Sequence, residues 1–202
     1  MNTWISDIRE TGKLTVFNGT VGHWQHAADM ALGLFNTMAK HHKIHLKLES
    51  EKDQEKANKV VKVAGGAESY PFDGETVNLT VPQGVVHGKT HTFSREGESI
   101  KKAVIFVPAS TQKSAGFING KEQFQDLSNE GRAALIVHEF IHAAGLDDNK
   151  DHDMAGGIFY PTLGIENGKV KELNAGYKVA AMPPIRLEGG TSDTLKSLWA
   201  KK

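Results

Sequence analysis

The sequence predicts an α+β fold with a mixed β-sheet, a long N-terminal helix, a central helix and a C-terminal helix. Three observations predict it: a long helical periodicity near the start, a series of short strand-like segments after it, and an apolar helix that follows those strands. In residues 21–42, Trp24, Ala27, Ala28, Ala31, Leu32, Leu34, Phe35 and Met38 recur at helical spacing and define the first helix. Residues 44–48 alternate apolar and polar, as a half-buried strand does. The charged run 49–59 reads as a solvated loop or helix face. Strands are expected over 60–63, over 76–81 with Val77, Leu79 and Val81 on one side, and over 85–93 with a turn-like pair at Gly88 and Lys89. The unbroken apolar run 103–107 suits a buried strand. Gly65-Gly66 and Phe72-Asp73-Gly74 mark turns.

Ser128 is placed to cap the central helix, which continues through Ala133, Ala134, Val137, Ile141 and Ala144 and stops at Gly145. From Asp147 to about Gly176 the chain is rich in Asp, Asn and Gly, and no long regular element is expected there. Met182-Pro183-Pro184 interrupts it, and Thr191-Ser192-Asp193 is expected to cap a final helix from Thr194 to about Ala200.

Composition narrows the chemistry. Lys+Arg and Asp+Glu both number 24, so no basic excess points to a nucleic-acid partner. There is no cysteine, which excludes disulfides and thiolate zinc sites and leaves His, Asp and Glu as possible metal ligands. No apolar run approaches the length of a membrane span, and no membrane partner is expected. Residues 1–10 are polar and of mixed charge, so no signal peptide is expected and synthesis is read as cytoplasmic.

The chemistry lies in His138-Glu139-Phe140-Ile141-His142, an H-E-x-x-H pattern. Residues four apart share a helix face, so both imidazoles can bind one ion. Glu139, one step round the helix, can reach a water on that ion without being a ligand itself. Zinc suits imidazole ligands, and a catalytic zinc needs a third protein ligand beside its water. Glu139 is then the general base, and the expected reaction is hydrolysis of a protein or peptide substrate.

The stretch His138-Glu139-x-x-His142-x-x-Gly145-Leu146 resembles the zinc-binding motif of the metzincin clan of metallopeptidases. More narrowly, His-Glu-Phe-Ile-His-Ala-Ala-Gly-Leu followed by Met182-Pro183-Pro184 is similar to small matrixin-like peptidases of bacteria and their phages. The resemblance implies a single metallopeptidase domain over residues 1–202, with an N-terminal sublobe of about 1–145 and a smaller C-terminal sublobe of about 146–202. It implies one catalytic zinc ion and a methionine turn below it, for which Met182 is the candidate. It also implies that the segment 85–93 is an edge strand that pairs with extended substrate. The third ligand stays open. Asp148 stands at the clan's usual spacing, where a histidine is commoner, while His152 follows four residues later and offers the commoner zinc ligand; His152 is preferred, with Asp148 the alternative. A calcium loop in the same run is not expected, since its sixth position is His152 rather than Gly and its twelfth is Ile158 rather than Glu. Phe159-Tyr160-Pro161 lacks the methionine that a matrixin carries there. Two other readings stand beside the peptidase: a zinc-stabilised structural or binding module of a phage or cell surface, and a zinc hydrolase of peptidoglycan cross-links.

Overall fold

The computed structural model describes residues 3–81, 88–94, 99–146, 163–166, 169–172, 187 and 189–201. It is an α+β fold built around a five-stranded mixed sheet in the order β2-β1-β3-β7-β6. Strands β1 (Lys13–Gly19), β2 (Lys47–Ser50), β3 (Lys59–Val63) and β7 (Lys102–Val107) run parallel, and β6 (Lys89–Phe93) is antiparallel at one edge. The chain passes from β1 to the parallel β2 through helix α2 (His23–His41), so this first unit is βαβ. A short α1 (Ser6–Thr11) precedes it.

The sheet's alternation sorts its side chains between two cores. Val61, Ala103, Ile105 and Val107 face α2 and α3 (Asn129–Ala143), together with Leu14, Val16 and Leu48. Val60, Val104 and Phe106 face the opposite way, onto a hairpin of β4 (Gly66–Phe72) and β5 (Glu75–Val81) that contributes Tyr70, Leu79 and Val81. With helices on one face and a hairpin on the other, β7 is buried on both. Its unbroken apolar run follows from that. α2 and α3 meet through Phe35 and Phe140, whose rings lie edge to face with centroids 5.9 Å apart.

The two edges of the sheet differ. At β2, the Asn36 side chain from α2 imitates a strand: Nδ2 donates to the Leu48 carbonyl at 2.9 Å and Oδ1 accepts from the Leu48 N–H at 2.8 Å. At β6, no strand lies on the outer side among the described residues. The remaining described residues include two further hairpins, β8–β9 (Gln112–Ile118 and Lys121–Asp126) and β10–β11 (Leu163–Glu166 and Lys169–Glu172), and helix α4 (Gly189–Leu198).

Several expectations change. The strand expected over 44–48 begins only at Lys47; Ile44 and Leu46 are buried but lie in the approach to it. The described part of the strand expected over 85–93 starts at Lys89, so Gly88 and Lys89 do not form a turn within it. The final helix begins at Gly189, which puts Thr191, Ser192 and Asp193 inside its first turns rather than at its cap. Elements α1, β1, β4 and the β8–β9 and β10–β11 hairpins were not expected. No helix among the described residues is long and apolar enough to cross a membrane.

Candidate metal centre

α3 begins where the sequence predicts. The Ser128 hydroxyl accepts from the Gly131 N–H at 3.1 Å, satisfying one of the helix's unpaired first-turn donors. Its other end is held by two indoles. Trp4 Nε1 donates to the Ala143 carbonyl at 2.8 Å, and Trp199 Nε1 donates to the Ala144 carbonyl at 3.1 Å. Both tryptophans are buried, so these last-turn acceptors are satisfied inside the protein. Gly145 then leaves the helix at φ 115°, a backbone region that residues with a side chain rarely enter. The sharp exit comes immediately after the turn that carries His142.

On this anchored turn His138 and His142 come together. Their Nε2 atoms are 3.2 Å apart, and the rings meet nearly at right angles, 81°. His142 is buried and His138 half-buried. The Nδ1 of His142 lies 3.3 Å from the carbonyl of Leu146. A carbonyl only accepts, so this contact puts the ring proton on Nδ1 and turns the Nε2 lone pair toward His138. A tetrahedral ion with zinc–nitrogen bonds of about 2.0–2.1 Å holds two ligand nitrogens about 3.3 Å apart. The spacing of the two Nε2 atoms therefore fits neighbouring corners of such a site, and the backbone contact to Nδ1 is the outer support that metal-binding imidazoles commonly have.

Glu139 is buried at 5% exposure, and its surroundings were not anticipated from sequence. The hydroxyl of Thr90, on β6, lies 2.7 Å from Glu139 Oε2 and 3.1 Å from the Glu139 carbonyl. Gly88, just before β6, lies so close that a Cβ there would collide with Oε1 and Cγ of Glu139. The edge strand thus borders the carboxylate directly. Only a three-dimensional register brings residue 90 to residue 139, and no sequence spacing encodes it.

Asp148, His152 and Met182 lie outside the described residues. Among the described residues no group of three His, Asp or Glu is placed to hold an ion, so His138 and His142 are the part of the expected ligand set that can be located. Of the other histidines, His23, His26 and His41 line α2. His42 Nε2 accepts from the Leu187 N–H at 3.4 Å. Burial, followed by the nearby His41 and Lys196, holds the His42 imidazole below its usual pKa, which keeps it neutral and able to accept.

No protein-family model matches this chain, and no curated protein is significantly similar to it.

Proposed function

We propose that the protein is a zinc-dependent metallopeptidase of the metzincin kind. The observation that carries the proposal is the pair of imidazole Nε2 atoms 3.2 Å apart on one anchored helical turn, with a buried carboxylate between them in sequence. His138 and His142 would hold the ion, and His152 or Asp148 would complete its protein ligands. When bound, zinc would supply Lewis-acid polarisation of a carbonyl and acidify water toward neutrality.

The chain's own groups do the rest. His142 presents its Nε2 lone pair because Leu146 fixes its proton on Nδ1. Glu139 accepts the proton of the attacking water and returns it to the leaving amine. The outer side of β6 offers backbone N–H and C=O groups to an extended peptide, and it borders the same glutamate. A zinc-stabilised module would make no use of a buried carboxylate beside its imidazoles, so the catalytic reading is favoured.

The test is Glu139→Gln, which keeps size and leaves both imidazoles untouched but cannot take up the proton. The variant should retain zinc and lose at least about 100-fold in cleavage of a peptide substrate, the low end for positioned acid–base groups. Cleavage at the parent rate would refute Glu139 as the base. Running the assay on protein and on purified cell wall, with and without chelator, separates a peptidase from a hydrolase of peptidoglycan cross-links.

A further inference from the structure

The buried carboxylate is held by groups that the motif does not contain. A glutamate side chain is long and rotamer-rich, and ordering it on burial costs conformational entropy. A base must nevertheless stand within hydrogen-bond reach of its proton, and a misplacement of about 1 Å can cost on the order of 100-fold in rate. Helix α3 fixes only the Glu139 backbone. Its side chain needs further restraint.

Two positions, Thr90 on β6 and Gly88 just before it, supply it. Thr90 has a single hydroxyl proton and two acceptors in range. The shorter contact, 2.7 Å, is to the carboxylate, where a charge-assisted bond is the stronger one. Threonine is β-branched and stiff at χ1, and its backbone is fixed by pairing opposite Ile105 of β7. Its hydroxyl is therefore a rigid donor, aimed from the sheet at Oε2. At Oε1, the Gly88 backbone lies so close that any Cβ there would collide with Oε1 and Cγ. We infer that Thr90 is a positioning residue for Glu139, holding Oε2 while the bare backbone at Gly88 closes off the adjacent space. This inference rests on the reading of Glu139 as general base. Since Thr90 belongs to the edge strand proposed to pair with substrate and Gly88 leads into it, the strand that aligns the peptide also aligns the base.

The experiment compares Thr90→Val, Thr90→Ser and Gly88→Ala in crystal structures of the metal-free protein and in steady-state kinetics of the zinc-loaded protein. Valine matches threonine in shape and suits a strand, but donates nothing. Thr90→Val should leave the Glu139 carboxylate displaced or spread over several rotamers. It should lower kcat by about 10- to 100-fold, with KM and zinc affinity within about 2-fold of the parent. Thr90→Ser should restore the carboxylate position and bring kcat to within about 5-fold of the parent. An unmoved carboxylate in Thr90→Val, or a parent-like kcat, overturns the inference. Should Thr90→Val not fold, the decision passes to Gly88→Ala: it must shift the carboxylate and reduce kcat, and a parent-like result overturns the inference equally. Failure of the base assignment itself is visible separately, because Glu139→Gln would then remain active whatever the carboxylate position in the Thr90 variants.

Discussion

Lys59 enters the helix-side core at the start of β3 and ends with Nζ 5.4 Å from the Phe35 ring centroid and 5.3 Å from that of Phe140. It is fully buried, and Nζ has no hydrogen-bond partner among the described residues. The two ring faces offset only part of the desolvation of an ammonium group. Burial accordingly lowers its pKa from 10.5 to about 7. An unfolded chain therefore binds more protons than the folded one between about pH 7 and 10.5, and stability must rise with pH across that window. Below about pH 7 the cost is fully present, of order a few kcal/mol. Lys59→Met, which keeps the stem and removes the amine, should stabilise the protein at pH 7. Its advantage should shrink steadily as pH rises toward 10.5, and urea unfolding at a series of pH values would show it. At this scale the sequence is an incomplete guide. The solvated reading of 49–59 suits most of that run, but its last lysine lies on the apolar side of a strand, and only the pairing of β3 with β1 and β7 reveals that. His138, Glu139 and His142 are legible because a single helical turn brings them together. Thr90 is not, because its contact to Glu139 spans two elements far apart in the chain.

Among the elements, α3 is the one on which the site depends. A helix end has carbonyls without intrahelical donors, and here Trp4 and Trp199 reach in from separate parts of the chain to satisfy two of them. Trp4→Phe or Trp199→Phe retains an aromatic ring but leaves a carbonyl short of its donor. Each should cost about 1–3 kcal/mol. The loss should appear in thermal unfolding of the metal-free protein, and the turn carrying His142 should exchange amide protons faster than the parent's. Unchanged stability in both variants would mean that the indole bonds add nothing to the helix end. The start of α3 is legible in the sequence because a serine cap is a local signal. Its indole clamps involve partners 139 and 55 residues away, beyond any local pattern. Two hairpins carried a local signal that the strand periodicity did not. Asp73-Gly74 joins β4 to β5 and Asn119-Gly120 joins β8 to β9, with all four residues at positive φ, as two-residue hairpin turns require. The start of α4 is misplaced because Thr191-Ser192-Asp193 reads as a cap although two glycines already begin the helix upstream; the buried Ser192 belongs to its packed face.

For the whole molecule, the topology explains how one helix can serve both structure and chemistry. Four parallel strands need crossovers and a cover, and α2 and α3 provide the cover on one side. The antiparallel β6 then lies beside α3 and brings Thr90 to Glu139. The α+β class was legible from the order of periodic segments. The strand order was not, because pairing between β3 and β7 joins segments separated by a hairpin and an edge strand. Zinc held by His138 and His142 would link folding to metal affinity, since an ion that binds only the folded protein stabilises it by about 4 kcal/mol at 1,000 times its Kd. A competitive chelator titration with elemental analysis decides whether His138 and His142 are the helix-borne ligands of one zinc ion. The same titration on His152→Ala and Asp148→Ala tells which residue completes the set. We expect about one zinc per chain in the parent and at least a 100-fold loss of affinity in both His138→Ala and His142→Ala, more than the roughly 10- to 100-fold that supporting groups command. A parent protein that takes up no zinc, or a His142→Ala variant that binds it as tightly as the parent, would contradict this assignment.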